Sequence, residues 1–455
     1  MLLCVLQVSQ ARQTRRTLQI IRLLKSRRLT SIPRDQSQHV QAEDNTQKVL
    51  LDLCRKRGFI FGDELTSTSV LRGCQNLGPL GTRLKKNLLD EWWSTMVLNR
   101  DQVLPIDTLH HLPGSSSPSA KLSLKICPQS GPGKNQDLTT HKLDEDFGKM
   151  FDLRQDLLEG TLRCYPACLE LLSKRLPFGI AEVGRCFHPV MDEEESMPFR
   201  LGERTVASLA WFTSGKTSGQ WQDYWLRHRL VWWQRFSQVP SRFSISDQQD
   251  DGGRKMSIIN YHFPWGEQAV EILTSLNDSA LTQVHGGSSS SLHARDGRKS
   301  VIPHVVWVSS DVERGLLAYL CDALQVTGNS TARSTDQRRT VLKLHPSLAP
   351  IKVSVDVGKG PTADLRLVCQ GLSTELREVG ISIWPGYQDT LYTPMEQLFT
   401  KYDEMGVLFT VLISDVTLES GLLQLRSRDT TIKETMHISK LRAFLSQYMT
   451  AAKKL

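Results

Sequence analysis

Two rhythms of apolar positions divide this chain. Helical spacing appears from Asn45 to Arg57, where Val49, Leu50 and Leu53 share a side and Gly58 ends the run. It returns after the Gly-Pro turn at Gly78 and Pro79, with Leu84, Leu88 and Trp92 aligned, then gives way to a strand-like "VLPID" at Val103 to Asp107. Between Asp144 and Leu176 a stripe of Phe147, Met150, Phe151, Leu157, Leu158, Leu162, Leu169 and Leu172 predicts a helical insertion, of the kind that packs on its own domain or on a second copy. A Pro-, Gly- and Ser-rich tract from Pro113 to Lys134 predicts a loop before it, and "GGSSSS" at Gly286 to Ser291 predicts another. Pro177 to about Val308 is strand-rich and aromatic around a Trp-heavy helix, "WQDYWLRHRLVWWQRF".

From Val341 strand and helix alternate. "IKVSVDV" reads as a strand and Thr362 to Val379 as a helix, with Leu365, Cys369, Leu372, Leu376 and Val379 aligned and Gly380 as its cap. "ISIW", a helix from Pro394 to Met405, the buried strand "VLFTVLI" and a last helix from His437 to Lys453 follow. In "GLLQLRSRDTTIKE", Gln424, Arg426 and Arg428 alternate with Leu423 and Leu425, as on a half-buried edge strand. Such a surface suits RNA, a protein partner or plain solvent.

Charge changes this picture at one end. Met1 to Arg34 carries eight basic residues and no acid, so that the formal +8 belongs to this segment and the remainder balances 48 basic against 48 acidic residues. With Leu18, Ile21 and Leu24 at helical spacing, the segment predicts a mitochondrial transit peptide in preference to a basic nucleic-acid-binding tail. A formally neutral body can meet nucleic acid only through local patches. Nine cysteines without a Cys-x-x-Cys pair predict structural thiols in a reduced compartment, with no zinc site; Cys164 and Cys168 would share a helical face. No apolar run is long enough to span a membrane.

Candidate chemistry is sparse. Arg295, Arg298 and Lys299 surround a Gly turn in "HARDGRKS", and Arg333, Arg338, Arg339 and Lys343 cluster in "RSTDQRRTVLK"; each suits nonspecific phosphate contacts and equally a solvated loop. Lys85 and Lys86 are weaker candidates. His110 and His111 would point to opposite faces of a strand, which argues against a shared metal. Trp92-Trp93 and Trp232-Trp233 could stack on bases, but their leucine-rich helical spacing favours packing.

Several motifs carry a resemblance over most of the chain from Leu50 onward, the insertion excepted. "GPLGTRLKKNLLDEWW" resembles the first signature of the dimeric glycyl-tRNA synthetases, and "LHPSLAPIKVSV", "KYDEMGVLFTVLI" and "LRSRDTTIKE" resemble successive pieces of the class II anticodon-binding domain. The resemblance implies an α+β fold: a class II aminoacyl-tRNA synthetase-like antiparallel sheet domain with a helical insertion, then an α/β anticodon-binding-like domain. The implied divisions are 1–40 (leader), 41–112 and 177–335 (sheet domain), 113–176 (loop and insertion, for dimerisation) and 336–455.

The implied activation residues are altered. The second signature's arginine and glutamate fall on His188 and Val190 in "GRCFHPV". The third keeps Arg314 but has Asp311 in place of a glycine, a carboxylate set to repel ATP phosphates. Trp265 to Glu267 survive from the glycine-recognising region, while later positions are Ile272 and Leu276. An imidazole lacks the guanidinium fork that such chemistry uses. A plain buried or capping role for His188 remains the alternative.

With "HARDGRK", "WPGY" and the leader, the chain is similar to the accessory subunits of mitochondrial DNA polymerase gamma. That resemblance implies a noncatalytic, cofactor-free homodimer in the mitochondrial matrix and nucleoid. It would bind the polymerase catalytic subunit and double-stranded or primer-template DNA without sequence preference, raising processivity. Arg295, Arg298, Lys299, Arg333, Arg338 and Arg339 are then the DNA candidates, and Gly421, Arg426 and Arg428 the polymerase candidates. An active mitochondrial glycyl-tRNA synthetase and a tRNA-binding adaptor are the alternatives.

Overall fold

The computed structural model describes residues 46–62, 70–71, 75–113, 123–125, 150–190, 200–249, 255–287, 289–327, 339–360, 362–388 and 393–454. A helix over 46–56 leads to helix α1 (Pro79–Trp93), which enters through Pro79 and buries Leu80, Leu84, Leu88 and Trp92 at the expected spacing. The glycine of "PLGT" has a packing reason: a Cβ on Gly81 would lie 2.0 Å from the Phe59 carbonyl oxygen. A π-helical turn (Ser94–Leu98) follows and ends the helix.

Next along the chain are β1 (Val103–Pro105), helix α2 (Leu158–Leu171), β2 (Phe178–Val190), β3 (Arg200–Thr213), helix α3 (Ser218–Arg235), β4 (Phe243–Gln249), β5 (Lys255–Phe263), β6 (Gly266–Leu276), β7 (His304–Asp311) and helix α4 (Val312–Ala323). The strands form one sheet in the order β1-β2-β3-β7-β6-β5-β4, parallel only at β1-β2. Helices α1, α3 and α4 cover one face; α2 covers the other, where Tyr165 stacks on Phe178 and Phe212. Beneath α3, Glu271 and Arg229 form a fully buried bidentate pair, which Trp233 and Ser310 complete by donating to Glu271. Trp92, Trp232 and Trp233 are thus core residues.

The insertion departs from the predicted continuous helix. Met150–Leu153 is a strand, paired with His111–Pro113 and Ser123–Lys125, and helix begins only at Leu158. Short apolar runs do not distinguish the two periods, and here pairing across the intervening loop decides. Cys164 and Cys168 do lie in α2, and the six described cysteines are free thiols. The leader, most of the predicted loop and Phe147 lie outside the described residues.

A hairpin of Leu324–Thr327 with Arg339–Leu342 leads to the second sheet. It contains β8 (Val353–Val357), β9 (Ile383–Trp384), β10 (Phe409–Ile413), β11 (Leu422–Ser427) and β12 (Lys433–His437), ordered β9-β8-β10-β11-β12. The connecting helices are α5 (Thr362–Glu378), α6 (Met395–Met405), α7 (Asp415–Ser420) and the terminal α8 (Ile438–Lys454). One apolar cluster runs from Leu50 through both sheets to Leu445. Glu404 reinforces the junction by accepting Lys56 and Arg57, and Asn87 donates to the carbonyls of Leu348 and Ala349.

Candidate functional site

The period of two puts Glu182, Cys186 and His188 on the α2 face of β2, and Arg204 and Asp311 on the same face of β3 and β7. This is where the resemblance expects ATP and amino acid to meet. The chain's own segment before α2 covers it. Arg154, 3% exposed, donates to Glu182 at 2.9 Å, to the Thr108 carbonyl at 2.8 Å and to the Arg185 carbonyl at 2.7 Å. Leu157 packs with Cys186 and Val206.

Asp311 ends β7 and caps α4, accepting from the Arg314 backbone N–H at 3.0 Å. Its Oδ2 lies 3.3 Å from the Arg314 guanidinium and 3.9 Å from that of Arg204. Burial pushes the Asp311 carboxyl above its ordinary value, with Arg314 and Arg204 pulling the other way. Arg314 also donates from one amino group to the Ala269 carbonyl, so its charge and part of its fork are engaged within the chain. His188 sits opposite Gly202, and of Val190 only the strand pairing with Arg200 is described. Glu267 stands at the β5-β6 hairpin, half exposed, accepting from Ser244.

The candidate cations separate into two groups. Arg339 is paired with Asp403 and donates to the Arg428 carbonyl, and Lys85 is held by Glu313 and Thr205 beside an open cleft of about 800 Å³. These two are structural contacts instead of the expected free cations. Arg295, Arg298 and Lys299 are exposed on a hairpin (Ala294–Asp296 with Lys299–Val301) and form no ion pair among the described residues. Arg333 and Arg338 lie outside the described residues.

The C-terminal stretch needs a larger correction. β11 is flanked by β12, and while Gln424 stays exposed, Arg426 is covered by α6, since Asp403 accepts both Arg426 amino groups at 3.0 and 2.9 Å. Arg428 is also buried and donates to the carbonyls of Leu342 and Gly406. The predicted exposed arginine face is therefore interior; alternation finds the face but not the helix that covers it. Gly421 does turn the chain, at φ +71° as the cap of α7, beside exposed Val416, Leu418 and Leu422. Sequence reasoning missed Arg154, whose burial shows only once Glu182 and Thr108 are brought together. Among the described residues no cluster could hold a metal, and no helix is long and apolar enough to cross a membrane.

The anticodon binding domain family matches residues 352–448. DNA polymerase subunit gamma-2, mitochondrial, of Xenopus laevis is 58% identical, the match covering 89% of this chain and 88% of the relative. The Bos taurus DNA polymerase subunit gamma-2 is 51% identical over 89% and 86% of the two chains. A glycine–tRNA ligase of Treponema denticola is 24% identical over 88% of this chain and 98% of its own length. Identity of that order across nearly nine-tenths of both chains, on a synthetase-like sheet followed by an anticodon-binding fold, shows that this chain belongs to the DNA polymerase gamma-2 accessory subunit family.

Proposed function

We propose that the chain is a noncatalytic accessory subunit that holds the catalytic subunit of mitochondrial DNA polymerase gamma on DNA and lengthens each binding event. The observation that carries the noncatalytic part is the engagement of Arg314 by Asp311 beneath a face already filled by Arg154 and Leu157. A nucleotide triphosphate there would have to displace a buried guanidinium and approach a carboxylate. The polymerase part is supported by the names of the relatives.

In this reading the unit 336–455 carries the catalytic-subunit contact around the Gly421 turn, with Arg426 and Arg428 supporting that surface from inside. Residues 113–176 serve the homodimer, residues 1–40 direct the chain to the mitochondrial matrix and its nucleoids, and Arg295, Arg298 and Lys299 meet duplex DNA. Two weak contacts on one partner raise the lifetime of the ternary complex more than either alone. The test is the product length of primer extension by the catalytic subunit with and without this chain. Longer products are expected; unchanged length together with glycine-dependent adenylate formation would replace the proposal with synthetase activity.

A further inference from the structure

The hairpin that carries Arg295 is stitched to a distant segment. Ser173 and Lys174, at φ 54° and 60°, turn the chain sharply after α2 although neither is glycine. The Arg295 N–H donates to the Lys174 carbonyl at 2.6 Å, the Leu176 N–H donates to the Arg295 carbonyl at 3.1 Å, and Arg175 faces Arg295 in a parallel bridge. Both arginines are exposed, and among the described residues neither has a carboxylate partner. Like charges held directly opposite each other, on backbone that already carries left-handed strain, weaken the fold. Lys174, held to Glu170, and Arg298 in the hairpin turn add cations nearby, whereas Lys299 stands in register with Asp296 across the hairpin, on the face opposite Arg295.

We propose that Arg175 and Arg295, with Arg298 in the turn, form one platform for the phosphate backbone of duplex DNA, in which Arg175 is a contact equal to those on the hairpin. The inference rests on the DNA-binding reading above and adds the second segment to it. A polyanion relieves the repulsion that the free protein carries, and three cations give contacts with phosphates and none with base edges, so binding is blind to sequence and steep in salt.

The experiment measures anisotropy of a labelled duplex of arbitrary sequence against the full chain over a salt series, for the wild type, Arg175→Ala, Arg298→Ala and Lys86→Ala, the last an exposed cation on α1. Arg175→Ala and Arg298→Ala are each expected to weaken binding roughly fivefold to tenfold near 0.1 M salt and to lower the log–log salt slope by about one. Lys86→Ala should do neither. Arg175→Ala should also melt no lower than the wild type, because it removes a repulsion; a merely structural arginine would lower the melting temperature. Unchanged affinity and slope in a folded Arg175→Ala protein overturn this inference, whatever the primer-extension assay gives. Failure of that assay, with the Arg175 effect present, overturns only the polymerase reading.

Discussion

Asp403 accepts two guanidinium groups, from Arg426 and Arg339, and is 2% exposed. Arg426 also lies over the Phe399 ring at 4.6 Å, so its plane is fixed by stacking as well as by charge. Removing the carboxylate leaves Arg426 buried without its counterion and takes one partner from Arg339, whose side chain is 32% exposed; the first is the costly half of a broken buried pair. Asp403→Asn is therefore expected to lower stability by roughly 3–5 kcal/mol, read from urea unfolding. A loss within experimental scatter would mean that water reaches Arg426. Arg426→Ala should cost less, because Arg339 still neutralises Asp403.

Elements were legible in the sequence wherever a single period ran long enough, as in α1 and α5, where Leu84, Leu88 and Trp92 and Leu365, Cys369, Leu372 and Leu376 are buried at the predicted spacing. The insertion and β11 were less so, for a shared reason: the strand pairing of Met150–Leu153 and the burial of Arg426 depend on partners distant in sequence. Of the candidate site, Asp311, Arg314 and Gly421 were legible from their motifs, whereas the plug at Arg154 and the pairing of Arg175 with Arg295 exist only in three dimensions. Gly421 illustrates how a turn signal becomes a measurable constraint. Its φ of +71° strains any side chain, and a Cβ there would lie 2.5 Å from Nε2 of His437, the first residue after which α8 begins. Gly421→Ala should destabilise the protein by roughly 1–2 kcal/mol and weaken catalytic-subunit binding, as measured by melting and by titration. Unaltered melting would show that His437 simply swings away and the turn relaxes.

At the scale of the whole molecule, the two sheets share one core, and their junction contains a lysine in an unusual state. Lys352 is the last residue before β8, and its Nζ donates to the carbonyls of Pro346, Ser347 and Ala349 in the loop against α1. Burial lowers its pKa from 10.5 to about 7, with Lys453 and Arg428 adding to the fall and Glu91 opposing it. The sign follows from linkage. Below pH 7 the amine is charged in both states and the fold carries the full burial penalty; above it the folded protein has released a proton that the unfolded chain still binds, so stability rises with pH. The slope from this group approaches about 1.4 kcal/mol per pH unit at most. The rise is best read between roughly pH 7 and 8.5, because unfolded cysteines begin to ionise near 9.0 while burial holds Cys54 up at about 12, a term of opposite sign. Lys352→Met, which keeps the apolar stem and removes the amine, should flatten this dependence in urea unfolding and leave duplex binding unchanged. An identical slope in the variant would assign the dependence to other groups and return Lys352 to an ordinary charged lysine, held by three carbonyls.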